Sequence, residues 1–469
     1  MTPFLRSWLA FFHKWIGYPA GLVLFILFFS GTLASFSAGL QQWMEPQTAL
    51  NNAPLTEKGI EQAEKLFAQS LQDYPNSFLR LPTRDDPVIR IWHFDGHNFL
   101  GPALNPTTGA VIPTRNHVGG LFFVTLHSDI RLPAFYGALI GLFAFIGLVI
   151  ASITGLWMHW KLFFSDLLLF RPQAPDKRKL LDLHLLIGCV IFPVLMVIGF
   201  SGACLDLHQL GLIGHHHSKK EAPALTYQSL PPLSPIIAKG QEEWHNLEGS
   251  FFLDTPEGLH FIRGDESQFC SSRPFISTEG KHSSSPSQPC TFHALLHGVH
   301  KIRWAHGALR WCIALIGLIG ATLTGSGLIF FYKAELHKQG KNQSPPGLSC
   351  RFYKALNDGT IMGLPFATLG LLGISRLPAP PFMEVYQWEN LAFFSLWGGC
   401  YLLSFIAGTA RSFLPYLLMI AGFGLLPLDI FTRPFFSPGS VTCLIIDGCA
   451  ILAGLAAFSS LNLRKGRNA

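Results

Sequence analysis

Residues 13–36 read HKWIGYPAGLVLFILFFSGTLASF. Between Gly17 and Phe36 there is no Asp, Glu, Lys or Arg. A hydrocarbon core of ~30 Å is crossed by about 20 apolar residues in an α-helix, and the run over 15–37 supplies them. Seven further runs of similar length follow, at 134–158, 185–206, 307–331, 357–375, 388–410, 412–431 and 441–461. The fifth is short and interrupted by Pro365. The chain therefore reads as an all-α polytopic membrane protein of about eight spans. Composition agrees: 13% of the 469 residues are charged, against roughly 25% in soluble domains. Its 41 Phe and 11 Trp call for lipid as the surrounding solvent. The net charge of +6 is not gathered into a long basic run, and no zinc-knuckle spacing occurs. Nucleic acid is therefore not an expected partner.

Basic flanks set the orientation. Lys161, Arg171, Lys177, Arg178 and Lys179 follow the second span. Lys333, Lys338, Lys341, Arg351 and Lys354 follow the fourth, and Arg464, Lys465 and Arg467 close the chain. Both termini are then cytoplasmic in a bacterial inner membrane. The expected order is a first span (1–37), an outer subdomain (38–133) and spans two and three with their cytoplasmic loop (134–206). A second outer subdomain (207–304), span four (305–331), a cytoplasmic loop (332–356) and a C-terminal four-helix region (357–469) follow. Each outer segment reads as α+β. The first has a helix in LTEKGIEQAEKLFAQSL, a strand in VIRIWHF before a turn at Asp95-Gly96, and strand–turn–strand in PALNPTTGAVI. The second has a hairpin in SFFLDTPEGLHFIRG. There are nine cysteines and no CxxC or CxxCH, which argues against Cys-ligated zinc and covalently attached haem. Cys270 and Cys290 share an outer loop, where an oxidising compartment favours a disulfide.

Spans one and two echo spans three and four. His13-Lys14-Trp15-Ile16-Gly17 aligns with His184-Leu185-Leu186-Ile187-Gly188, and Ser30-Gly31 aligns with Ser201-Gly202 at the same offset. Leu126-His127 aligns with Leu296-His297, and Thr154-Gly155 with Thr324-Gly325, both at an offset shorter by a single position. A repeat of unchanged orientation implies a pseudo-two-fold axis along the membrane normal. That axis sets His13 and His184 at the cytoplasmic ends and His127 and His297 near the outer ends.

A single histidine at a helix end is ordinarily an interfacial residue. Two repeat-related pairs, one per face, are what two six-coordinate b-type haems require, because paired neutral imidazoles are axial ligands for haem iron. The expected ligands are His13 with His184 and His127 with His297. His159 is the alternate at the inner face, and His300 and His306 are the alternates at the outer. Zinc competes, but takes three or four ligands in a tetrahedron. Arg303 and Arg310 border the outer end of span four, placed for haem propionates or lipid phosphate. The run His215-His216-His217 beside His208 is a further possible metal contact.

At these residues the chain resembles the PepSY-associated transmembrane family. His-x-Trp-Ile-Gly followed by Ser-Gly-Thr-Leu (13–33) is similar to its first span, and Leu-His (126–127) with Ile-Thr-Gly-Leu (153–156) to its second. His184 with Leu-Ile-Gly, and Leu-His-Gly (296–298) with Leu-Thr-Gly (323–325), resemble the third and fourth. Leu-Asn-Asp-Gly-Thr (356–360) is similar to the tail of larger members. His184 departs from the pattern in being followed by Leu-Leu, where the family often has Arg-Trp. Members include di-haem reductases of iron–siderophore complexes in bacterial inner membranes. The resemblance implies two PepSY-like outer subdomains, two haem b groups and reduction of a ferric siderophore or other ferric chelate on the periplasmic side.

No GxGxxG follows a strand, so nicotinamide and flavin are not expected. The electron donor is then quinol or a separate cytoplasmic protein. Two other readings use the same features. One is a transporter of an iron chelate, with Asp429 and Asp447 as the midplane charges. The other is a non-enzymatic regulator acting through its outer subdomains.

Overall fold

The computed structural model describes residues 2–50, 53–159, 169, 171–213, 230–255, 258–264, 269–270, 275–277, 282–283, 291–338, 347–408, 413–433 and 441–465. The run of His215 to His217 and Cys290 lie outside these residues.

Eight helices are long and apolar enough to cross a membrane: Pro3–Ala34, Ala134–His159, Arg178–Gln209, Ala308–Lys338, Leu348–Ser375, Val385–Ala407, Leu414–Thr432 and Val441–Ser459. Helix α1 (Pro3–Ala34) packs on α5 (Ala134–His159) and α9 (Ala308–Lys338), and α6 (Asp176–Gln209) packs on the same two. These four form a closed ring of two repeat-related pairs. Its core brings together Ala20 and Leu24 of α1, Ala144 and Leu148 of α5, and Ile191 and Leu195 of α6. A Cβ added at Gly147 would lie 2.2 Å from the Ala20 Cβ, so the close α1–α5 approach depends on small residues, as is usual where lipid supplies no squeezing force.

Between the spans lie two short helices, α4 (Leu121–Ser128) against α1 and α8 (Phe292–Lys301) against α6. They occupy corresponding places in the two halves. Each is followed within two residues by an isoleucine in the left-handed region, Ile130 and Ile302, each with φ 51°. A β-branched residue there is strained, and the strain recurs where each chain turns to enter its next span.

The remaining elements of the segments that precede spans two and four merge into one domain. Helix α2 (Ser37–Met44) leads to α3 (Glu57–Asp73), whose first turn is capped by the Thr56 hydroxyl accepting from Gly59 N at 3.2 Å. Five strands follow: β1 (Phe78–Arg80), β2 (Ile89–Phe94), β3 (Phe99–Leu100), β4 (Ala103–Leu104) and β5 (Val111–Ile112). The second segment supplies α7 (Leu233–Trp244), β6 (Phe251–Thr255), β7 (Gly258–Ile262), β8 (Phe275–Ser277) and β9 (His282–Ser283). The hairpins read from sequence are present as β4–β5 and β6–β7. The two halves share a single antiparallel sheet of order β5-β4-β2-β1-β6-β7-β8-β9, with β3 on β2. β1 pairs with β6 in the register Phe78↔Leu253, Leu79↔Phe252, Arg80↔Phe251. Left apart, each half would expose an unpaired edge. Joining them also unites one core, in which Ile60, Phe67, Leu79 and Ile91 meet Leu233, Trp244, Phe252 and Phe261.

The fifth span differs from the short run expected. It begins in α10 (Leu348–Asp358), widens into a π-turn at Gly359–Gly363 and continues as α11 (Leu364–Ser375). Pro365 lies just after the π-turn, so its missing N–H coincides with the local break in the regular helical ladder. Asn357 fastens this junction to the ring, donating to Leu328 O at 2.8 Å and accepting from Tyr18 Oη at 3.0 Å.

Helices α12 (Val385–Ala407), α13 (Leu414–Thr432) and α14 (Val441–Lys465) complete the chain. Asp429 and Asp447, expected from the sequence at the midplane, instead lie in the last turn of α13 and the second turn of α14, near the ends of their spans, and both have partners. Asp429 pairs with Arg376 at 2.6 Å and with Arg433, and Asp447 accepts from Trp43 Nε1 at 3.1 Å. They hold α11, α13 and α14 to one another and to α2. Buried His117, in the loop after β5, meets Glu389 of α12 at 2.5 Å and ties the sheet domain to the C-terminal helices.

Candidate functional site: two buried histidine pairs

The ring of four spans holds two pairs of imidazoles. At the face away from the sheet, His13 of α1 and His184 of α6 have ring centres 6.4 Å apart and planes at 83°. Nearer the sheet, His127 of α4 and His300 of α8 have ring centres 5.8 Å apart and planes at 21°. His127 leans on α1 at Leu27, and His300 on α6 at Ile198. Leu27 lies as far along α1 from His13 as Ile198 lies along α6 from His184. That distance is roughly four helical turns, so the pairs are ~21 Å apart along the helices. They are two sites, one toward each face.

All four rings are held alike. His13 Nδ1 bonds to Ala151 O at 2.9 Å, His184 Nδ1 to Leu323 O at 3.2 Å, His127 Nδ1 to Leu27 O at 2.9 Å and His300 Nδ1 to Ile198 O at 3.0 Å. A carbonyl only accepts, so each Nδ1 carries the proton and each Nε2 keeps its lone pair. This tautomer is the one a metal-ligating histidine uses. Every ring also rests against a glycine of the helix it bonds. A Cβ at Gly155 would stand 3.1 Å from His13 Cε1, at Gly327 3.2 Å from His184, at Gly31 2.9 Å from His127 and at Gly202 2.6 Å from His300. Burial lowers the pKa of the sheet-side pair, that of His300 to about 4, with His127 adding to the effect. Both are neutral at physiological pH.

The pairs fit haem. Two imidazoles bound to one metal from opposite sides through ~2.0 Å bonds hold their ring centres roughly 6–6.5 Å apart, close to both separations seen here. Either angle between the planes is compatible, because each plane contains its own metal–nitrogen bond. Among the described residues no group of three or more His, Cys, Asp or Glu is placed to hold a metal ion, so zinc's shell is not assembled there.

The geometry corrects two expectations. The partner of His127 is His300, not His297. His297 and His300 are three residues apart on α8 and so point about 60° away from each other around the helix. His297 instead stands 4.6 Å from His293, whose ring is 4.5 Å from His208. Likewise Thr154-Gly155 corresponds to Ser326-Gly327, not to Thr324-Gly325. The Ser326 hydroxyl and Gly327 adjoin His184, whereas a Cβ on Gly325 would meet Phe25. Matching identical dipeptides aligns the wrong helix faces. A better signal is present in His127-Ser-Asp-Ile130-Arg131 and His300-Lys-Ile302-Arg303, where histidine precedes the Ile-Arg pair in both halves. Of the other residues singled out, His159 ends α5, His306 Nδ1 meets Arg310 Nη2 at 3.1 Å, and Arg310 pairs with Asp85 of the sheet domain at 2.6 Å.

No curated protein matches the sequence. A family model, that of the PepSY-associated TM region, matches residues 11–334, a stretch that starts two residues before His13 and takes in all four rings. The chain is a multi-pass membrane protein belonging to the family of the PepSY-associated TM region.

Proposed function

We propose that this protein carries electrons across the bacterial inner membrane and reduces ferric iron, held by a siderophore or similar chelate, on the face that bears the sheet. The observation behind the reading is the stacking of two imidazole pairs ~21 Å apart, each ring with Nδ1 committed to a carbonyl and Nε2 left to bind. Haem b held by His13 with His184, and by His127 with His300, supplies a one-electron carrier near each face. The four carbonyls fix tautomer and ring direction, and the four glycines leave room for the rings. Haem held by two histidines would offer the substrate no open ligand position, so a ferric chelate would be reduced from outside the pair, on the face that bears the sheet. Ferrous iron is held far less tightly than ferric by hard oxygen ligands, so reduction frees the metal. Quinol or a separate cytoplasmic protein donates at the opposite face, where the basic loops lie.

The test is spectroscopic. The purified protein shows a Soret band and two haems per chain. His184→Ala leaves one haem. His300→Ala leaves one and abolishes reduction of an external ferric chelate, while His297→Ala keeps both. A protein without a Soret band, or His184→Ala and His300→Ala variants that each keep two low-spin haems, overturns the reading.

A further inference from the structure

The two pairs differ in what their Nδ1 protons meet. At the inner pair each imidazole has a hydroxyl as well as a carbonyl. Thr154 Oγ1 lies 3.2 Å from His13 Nδ1, and Ser326 Oγ 3.0 Å from His184 Nδ1. Each hydroxyl spends its own proton on its helix, Thr154 on Ile150 O at 2.6 Å and Ser326 on Leu323 O at 2.7 Å. Its lone pair is thereby presented to the imidazole N–H, which shares its proton between two oxygens. Thr154 follows Ala151 at the same spacing as Ser326 follows Leu323, so the carbonyl and hydroxyl together are built once in each half.

At the outer pair the counterpart is missing or long. Ser30 Oγ donates to Ile26 O at 2.6 Å, and among the described residues His127 Nδ1 meets Leu27 O alone. Ser201 Oγ stands 3.4 Å from His300 Nδ1. Acceptors on the outer nitrogen of a ligating imidazole raise its basicity and favour the more highly charged metal. Hydrogen bonding around axial ligands is one of the levers that sets a haem potential.

We infer that Thr154 and Ser326 are positioning residues that hold the inner iron at a lower potential than the outer one, giving the pair of sites an outward direction. The inference rests on the haem reading above. It adds that direction is set within the chain by two hydroxyls, apart from any preference of the donor or acceptor. Neither hydroxyl touches the iron; each acts through the imidazole it bonds.

The experiment is a redox titration of the purified holoprotein, followed optically and by electron paramagnetic resonance, with His184→Ala identifying which component is inner. In the wild type the inner haem titrates below the outer. In Thr154→Val/Ser326→Ala the inner midpoint rises toward the outer, and the outer does not move. Thr154→Ser, which keeps a hydroxyl, titrates as the wild type does. If the double variant sheds its inner haem, Thr154→Val and Ser326→Ala singly carry the measurement, each with a smaller rise. A merely structural role would change haem content or thermal stability and leave the midpoint of the retained haem in place. Two haems with unshifted midpoints in the variants, or a wild-type inner haem above the outer, overturn the inference and leave the haem reading standing. A wild-type protein without haem overturns both.

Discussion

Gly202→Ala tests the outer pair through a residue that carries no functional group. A Cβ at this position falls 2.6 Å from His300 Cε1 and 3.2 Å from its Nδ1, against an ordinary carbon–carbon contact of ~3.5–4.0 Å. The ring must move by about 1 Å to restore that contact. It is tied on one side by Nδ1 to Ile198 O at 3.0 Å and faces His127 on the other. Forcing a methyl into such a site costs about 1–3 kcal/mol, which is a roughly 5- to 140-fold weaker hold on whatever the ring binds. The expected result is an outer haem that is lost or no longer low-spin in purified protein, with the inner haem spectrally intact. Haem per chain by pyridine haemochrome, with reduced-minus-oxidised spectra, reads this directly. Gly188→Ala is the control, since its added Cβ meets only Leu323 Cδ1 at 3.4 Å. Two haems with wild-type spectra in Gly202→Ala would refute the argument that His300 binds while resting on this glycine.

Asp429→Asn leaves the buried guanidinium of Arg376 and that of Arg433 without their shared carboxylate. A loss of about 3–5 kcal/mol is expected, seen as a lower unfolding temperature in detergent. Phe252→Ala removes a fully buried ring from the core shared by the two halves of the sheet domain. It should cost about 3–5 kcal/mol and expose the β1–β6 junction to protease, and unchanged proteolysis would count against a joint core. Cys270 is disulfide-bonded, and the seven other described cysteines are not. In denatured, unreduced protein Cys270 should resist a maleimide that labels it after reduction. For topology, a cysteine introduced at position 175 should be labelled only when the reagent reaches the cytoplasm, and labelling from the periplasm of intact cells would invert the proposed orientation.

Much of the architecture is legible in the chain because its causes are local. A long apolar run without a charge makes a span whatever surrounds it, and all eight runs coincide with helices long and apolar enough to cross a membrane. The hairpins are legible for the same reason, since alternation and turn residues act over a few positions. His13 and His184 stand out because each is followed at the same spacings by Ile-Gly and by Ser-Gly, so aligning those landmarks also aligns equivalent helix faces. At the other end identity misleads. Both His297 and His300 are in view, and the one matched by Leu-His is the one that faces away from His127. Which of two histidines three residues apart turns inward depends on how α8 docks against α6, and no local property encodes that. The hydroxyl–glycine step at Ser326-Gly327 is hidden by the Thr-Gly just before it for the same reason. Two further features need the assembled molecule. The pairing of β1 with β6 joins strands that lie on either side of spans two and three in the chain, and its driving force is an exposed edge that exists only once both halves have folded. The π-turn before Pro365 appears where Asn357 must reach Leu328 and Tyr18, partners that tertiary packing alone brings near.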